Sequence, residues 1–415
     1  MRRLFALLLP CFVACGDDGS QAAPPPPPAP DPPAAPPVAP PVAPPAPAPF
    51  PAPHPAMPEV ITLGGKVLTS PRFVVVTYDG DPFREKLEDF AAAIGKTQYW
   101  HDVTAEYGVG PASVGRPVHL SEAAPPSIDD AKDLKPWLEA KLDGTHAEWD
   151  APDGQTIYVV YFPEGTTYHL EGFTGCKEFG ASDNLLTRRD GSLVPYIAIP
   201  RCQNLFGLDA WGTLTAVTSH ELFEESTDPF KDAYVTNDDD NLAWAEMPPF
   251  SEIGDMCMAA QPLYVQPPDL PHLVQRAWSN AAARAGKNPC VPAPNDGPFF
   301  NALPVFADSV PISYGRWSSW TKGVTIPVGQ TKTIDVALYS EAAVDEWHVG
   351  VFDLDQVLGN APSLQLRLDR TTGKNGDVLK LTIKSLAEAA DKSARFAIVS
   401  QRGSASSFAW GLVAQ

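Results

Sequence analysis

The segment Thr218-Ser219-His220-Glu221-Leu222-Phe223-Glu224-Glu225-Ser226-Thr227-Asp228-Pro229 concentrates the residue types best suited to chemistry in this chain. The stretch from Trp211 to Ser226 contains no proline and one early glycine, and Pro229 enforces a stop, so a helix over 211–226 is predicted. At about 100° per residue, His220 and Glu224 fall roughly 40° apart on one face, separated by one turn. A helix offers two ligands to a single metal ion in that way. Glu221 lies about 60° to the other side of Glu224. Leu214, Ala216, Val217, Leu222 and Phe223 make the helix apolar almost all round, so burial is expected. Buried imidazole and carboxyl groups need compensation, and a bound cation supplies it. The competing reading is a structural, hydrogen-bonded cluster without an ion.

In the H-E-x-x-H motif of zinc peptidases, the Glu after the first His acts as general base toward the attacking water. Here the second His is replaced by Glu, giving His-Glu-x-x-Glu, and a carboxylate is an acceptable zinc ligand at that position. Glu221 is therefore the candidate catalytic base, His220 and Glu224 are candidate ligands, and Zn2+ is the expected ion. A third ligand must come from downstream. Glu252, 28 residues past Glu224 (252 − 224), has a separation similar to that in zincins whose third ligand is a Glu on a following helix. Asp255 stands beside it as ligand or as support for one. Asp228 is expected to cap or turn the helix end. The run 237–241 (Asn-Asp-Asp-Asp-Asn) lacks the spacing of an EF-hand and reads as a solvated acidic loop rather than a calcium site.

The elements that must position these residues begin after an unusual N-terminus. Arg2-Arg3, the apolar run Leu4 to Leu9 and Val13-Ala14-Cys15 form a secretory signal over residues 1–15, too short to span a bilayer. Cys15 after Val-Ala, followed by Gly16-Asp17-Asp18, resembles a bacterial lipobox. Cys15 would then carry the lipid, the membrane would be a partner through it, and the bacterial cell envelope would be the location. Of 47 prolines, 20 fall in the 35 residues from Pro24 to Pro58, leaving 27 elsewhere. Residues 16–58 therefore read as a polyproline-type stalk, whose 35 residues from Pro24 to Pro58 reach roughly 110 Å at about 3.1 Å per residue. The net charge of −20 argues against a nucleic-acid partner, since such a surface repels phosphate backbones.

Behind the stalk two bodies are expected. Over residues 59–293, strands at Phe73 to Tyr78, Ile157 to Phe162 and Tyr196 to Ile199 mix with helices. The helices are expected after Asp81-Pro82, over Thr97 to Tyr107, near Asp129 to Leu142, and through His220. This is the pattern of a layered α+β domain, zincin-like, with a mixed sheet and an active-site helix. Over residues 300–415, period-two runs such as Leu364/Leu366/Leu368 and Leu379/Leu381/Ile383, with a hairpin signal at Gly373-Lys374-Asn375-Gly376, indicate an all-β sandwich. It carries no convergent His, Cys or carboxylate cluster and reads as a binding or spacer module. Past Cys15, Cys176, Cys202, Cys257 and Cys290 allow three disulfide pairings, of which the local Cys176–Cys202 and Cys257–Cys290 are favoured.

The ordered series His220-Glu221-Leu222-x-Glu224, Thr227-Asp228-Pro229, Trp244, Glu252-Ile253-Gly254-Asp255-x-Cys257, Trp278-Ser279-Asn280 and Cys290-Val291 resembles the exordium-like (phosphate-induced) secreted proteins of plants and their bacterial relatives. Tyr107-Gly108-Val109-Gly110 and the Ile157 to Tyr161 run also fit, so the resemblance covers roughly residues 70–292. It implies an extracellular protein linked to cell-wall or growth phenotypes, without an established activity. Relatives often carry Gly-Tyr-His shortly after the first Cys, where this chain has Gly180-Ala181-Ser182. Two functions follow as expectations. One is a lipid-anchored, metal-dependent hydrolase acting on peptide or cell-wall glycan. The other is a non-catalytic envelope lipoprotein that binds glycan or protein on a zincin-like fold.

Overall fold

The computed structural model describes residues 48–389 and 392–415, so the expected signal segment, Cys15 and most of the proline tract lie outside the described residues. Among the described residues no helix is long and apolar enough to cross a membrane. The chain is mostly β, in several sheets.

The continuous apolar runs of the first body become three mutually parallel strands, Arg72–Thr77, Thr156–Tyr161 and Leu193–Ile199. Parallel strands covered on both faces need no polar alternation, which is why these runs lack it. Phe73, Val75, Ile157, Val159 and Ile197 point into one core, and Val74, Val76, Tyr158, Val160 and Tyr196 into the other. Helices Arg84–Ile94, Gln98–Thr104 and Ala210–Thr227 cover the first face, and Lys135–Lys141 covers the second. Ser113–Val114 and Val118–His119 pair along Arg72–Thr77, and Ser182–Thr187 closes the far edge antiparallel to Leu193–Ile199. That edge strand was not expected, because Ser182-Asp183-Asn184 breaks any apolar pattern. It is held by cross-strand pairing and a turn in which the Arg188 N–H donates to Ser192 O at 2.9 Å.

Two helices are shorter than their apolar spacing suggests. The expected helix over 97–107 ends at Thr104 and tightens into a 3-10 turn, Ala105–Tyr107, closed by Gly108 at φ 88°. The one expected near 129–142 opens with a wide π-type turn, Asp130–Leu134, before Lys135–Lys141.

The C-terminal body is a two-sheet sandwich. One sheet contains Phe300–Val305, Thr331–Ser340, Val378–Ser385 and Leu364–Leu368. The other contains Asp308–Tyr314, Trp317–Thr325, Ala405–Ala414, Ser393–Arg402, Trp347–Asp353 and Thr372–Gly373. Val336, Leu338, Leu381 and Ile383 of the first sheet are buried with Val349, Phe396, Ile398 and Ala409 of the second. The Gly373–Gly376 signal does not make a tight hairpin. Leu366 pairs with Ile383 antiparallel, but the link between them crosses over so that Gly373 pairs with Trp347 in the other sheet.

A single apolar cluster continues from the first body into the sandwich. The acidic run 237–241 sits at the junction. Asp239 and Asp240 face solvent as expected, but Asp238 accepts the Glu59 N–H at 2.8 Å and the Asn241 amide at 2.8 Å. The 3-10 turn that follows, Asp239–Trp244, donates Leu242 N–H to Thr321 Oγ1 at 3.0 Å and packs Trp244 on Phe408 with ring centroids 5.6 Å apart.

Residues 48–58, expected as the last part of the stalk, are a strap across both bodies. Asn375 accepts the Ala52 N–H at 3.0 Å and donates to Pro49 O at 2.9 Å, and His54 stacks on Tyr339 at 3.7 Å. Beyond buried Met57, Asn280 accepts the Val60 N–H at 2.9 Å and returns a bond to Val60 O at 2.7 Å. Burial, only partly offset by the Pro55 carbonyl, holds His54 below its ordinary value of 6.5. The undocked strap therefore binds more protons than the docked one once pH falls below about 6.5, and docking weakens through that window. Hydrogen exchange of residues 50–60 should accelerate severalfold between pH 7 and pH 5, after correction for intrinsic rates. His54→Phe should abolish the pH dependence; equal protection at both pH values would contradict it.

Candidate metal centre

Helix Ala210–Thr227 starts at Asp209, whose carboxylate accepts the Gly212 N–H at 2.6 Å. It is buried almost throughout, and its hydroxyls turn back onto its own carbonyls: Ser219 to Ala216 O at 2.7 Å, Ser226 to Leu222 O at 2.6 Å and Thr227 to Phe223 O at 2.9 Å. Those bonds let a polar-rich sequence occupy the interior. At its middle, one turn apart, the His220 Nε2 lies 2.7 Å from Glu224 Oε2.

The third member comes from the loop that crosses this face. Glu224 Oε1 accepts two backbone N–H groups, Gly254 at 2.8 Å and Asp255 at 3.1 Å. That fixes the carboxylate and leaves Oε2 toward His220. Asp255 Oδ1 reaches to 3.8 Å from His220 Nε2. His220, Glu224 and Asp255 each place a ligand atom within 4.8 Å of the others. Position 254 must be glycine, since a Cβ there would stand 2.6 Å from Glu224 Oε1, 2.7 Å from His220 Nδ1 and 2.8 Å from the Phe223 ring. The loop is anchored by Trp278 N–H to Ile253 O at 2.7 Å, by Gln275 Nε2 to Gly254 O at 3.0 Å, and by the Cys257–Cys290 disulfide. The other disulfide is Cys176–Cys202, so both local pairings form. Cys176–Cys202 braces the segment that includes Glu178, Phe179 and Gly180. These residues, with His220, Glu221, Glu246 and Asp255, line a cleft of about 90 Å³.

Glu252 is not brought to this group, contrary to the expectation from its spacing. It faces the opposite way, with Oε1 3.7 Å from Lys231 Nζ. Lys231 also contacts Asp183, and Glu225 Oε2 at 3.3 Å, forming a second buried charge cluster behind the helix. Burial opposes ionisation of Asp183, but Lys231 and a bond from Glu225 outweigh it and hold that carboxyl below its usual range. Burial and the neighbouring negative charge of Asp183 push Glu225 and Glu252 well above theirs. Asp183 is thus the carboxyl favoured as the ionised partner of Lys231, while burial biases the two glutamates toward their protonated forms. Asp228 turns the chain as expected, its Oδ1 accepting the Ala233 N–H at 2.6 Å.

Sequence reasoning missed Glu246 and Lys231. Both lie on irregular segments, where no periodicity marks them. Glu246 lies against Asp255, and burial raises its carboxyl pKa. Burial first, then Glu224 and Glu246, does the same to Asp255, well above the usual range. Burial disfavours the His220 imidazolium, but Glu224, Glu221 and Asp255 together prevail and raise it well above its ordinary value. Glu221 is raised chiefly by burial, with Asp183 and Glu224 adding to it. Four carboxyl groups thus surround one imidazole in a largely buried setting, an arrangement that a divalent cation would relieve. One imidazole and two carboxylates with a cleft on the open side offer three donors and an open position, the count but not the usual donor set of a catalytic zinc site.

No protein-family model matches the chain, and no curated protein matches it. Among solved structures, "Chimeric titin Z1Z2 functionalized with a KLER exogenous peptide from decorin" is 20% identical, with 28% of this chain and 95% of that chain covered and a TM-score of 0.17. The titin M3 domain is 10% identical over 22% of this chain and 85% of its own, with a TM-score of 0.16. A twitchin kinase fragment from C. elegans is 16% identical over 28% and 20%, at 0.16. Likenesses this slight carry no argument about the fold or its function.

The two downstream carboxylates are separable by substitution. Asp255→Asn should weaken zinc binding at least tenfold in isothermal titration, whereas Glu252→Gln should leave affinity within about threefold of wild type. Equal losses for both would contradict the placement. Gly254→Ala should weaken zinc binding and lower stability by about 1–3 kcal/mol, measured by chemical denaturation.

Proposed function

We propose that the chain is a zinc-dependent hydrolase of peptide bonds, with His220, Glu224 and Asp255 as ligands and Glu221 as general base. The observation that carries this reading is the convergence of those three side chains within 4.8 Å, with His220 and Asp255 on the rim of a cleft that Glu221 also lines. The layered body supports it, since a mixed sheet with the buried helix of His220 and Glu224 across one face is compatible with a zincin-like domain. The motif series that resembles exordium-like proteins runs through the same elements, and membership of that family is part of the proposal. So are attachment to a bacterial envelope through a lipidated Cys15 and the stalk that follows it.

When bound, the ion would supply Lewis-acid polarisation of the scissile carbonyl and charge stabilisation. The rest falls to the chain. Glu221, only 6% exposed, sits one residue beyond His220 and opens onto the same cleft. A positive charge on the three ligands would favour its carboxylate form despite burial. It then takes a proton from the attacking water and returns it to the leaving amine. Gly254 and Asp255 N–H hold Glu224 in place throughout, so this ligand needs no reorganisation.

Zinc-loaded wild type should hydrolyse members of a mixed peptide library, read by mass spectrometry. Glu221→Gln should retain about one zinc per chain and lose roughly 10²–10⁴-fold in rate. Stoichiometric zinc without turnover of any peptide would remove the catalytic claim and leave a non-catalytic envelope-binding protein.

A further inference from the structure

A cavity of about 510 Å³ lies between the two bodies. It falls within the usual size range of small-ligand sites. Trp244, Met256 and Met258 of the first body form one wall; Ile312, Leu358 and Trp410 of the sandwich are on the other. Glu246, Asp255 and Met258 line both this cavity and the smaller cleft over His220 and Glu221, so the two adjoin there. Arg395 of the sandwich joins the walls, its Nη1 donating to Ala245 O at 2.7 Å. The sequence reads the sandwich as a module without part in the chemistry, yet here it borders the candidate centre.

We infer that this groove is the specificity pocket for a bulky apolar side chain, aromatic or long aliphatic, of the polypeptide substrate. The inference rests on the hydrolase reading and adds its substrate class. A chain lying over Glu221 has its neighbouring residue at the Asp255 end of the groove, because consecutive residues advance only about 3.3–3.6 Å. The walls decide what enters. Glu246, Asp255, Asp355, Asn360 and Arg395 also line the groove, but a sugar lying along Ile312, Leu358 and the methionines would leave its hydroxyls there without partners, a desolvation loss. A Phe or Leu side chain meets matching apolar surface, and methionine walls adapt to its shape. The sandwich thus selects substrate while the first body supplies the chemistry. Neither body alone makes the pocket.

The test uses the full chain as Glu221→Gln, loaded with zinc and titrated calorimetrically with capped pentaglycine peptides in which one Phe is walked through the five positions. At one position Phe should bind at least tenfold more tightly than pentaglycine. That gain should vanish in a further Leu358→Arg variant whose melting temperature is unchanged, and shrink in Trp410→Ala. No gain at any position, a gain that survives Leu358→Arg, or tighter binding of a chito-oligosaccharide than of every Phe peptide would overturn the inference. Repeating the titration without zinc separates the two claims. A Phe preference in protein that binds no zinc would sink the metal reading and keep the pocket, while bound zinc with no Phe preference would sink the pocket alone.

Discussion

The site depends on one contact, the clasp of the Glu224 carboxylate by the consecutive N–H groups of Gly254 and Asp255. It joins the buried helix to the loop that crosses it, and both partners are constrained. Helix position 224 must face the loop, and residue 254 must lack a Cβ or it would collide with Glu224, His220 and Phe223 at once. The disulfide from Cys257, two residues past Asp255, and the Gln275 and Trp278 bonds keep the loop on the helix. With that clasp in place, Asp255 is carried to His220 and Glu252 is directed to Lys231.

This also explains how far the site was legible in the sequence. His220 and Glu224 could be read together because a helix imposes its own spacing, and the helix itself was marked by its apolar surround and by Pro229. The choice between Glu252 and Asp255 was not encoded in any period. They stand three residues apart on a loop with a short 3-10 turn, Asp255–Cys257, and opposite sides of that loop serve opposite clusters. Lys231 was invisible for a related reason: its backbone is at φ 59°, a left-handed bend that no hydrophobic pattern announces.

The fold divides along the same line. Strands buried on both faces and strands of period two were both readable, because burial alone sets their patterns. Long-range docking was not. The strap at 48–58 has a stalk's composition, yet its partners are Asn375 and Tyr339, close to 300 positions away in sequence. The junction at 237–244 likewise mixes solvent-facing Asp239 and Asp240 with Asp238, which fixes the Glu59 N–H within the first body, and Trp244, which packs on Phe408 of the sandwich. As a result the interdomain groove, which belongs to neither body, has no signature in either sequence segment.

Diffraction from zinc-loaded crystals, collected on both sides of the zinc absorption edge, tests the central claim most directly. The account predicts one strong anomalous peak per chain at about 2.0–2.2 Å from donor atoms of His220, Glu224 and Asp255. A peak bounded instead by Glu252, or no peak between the helix and the Gly254 loop at saturating zinc, would contradict it.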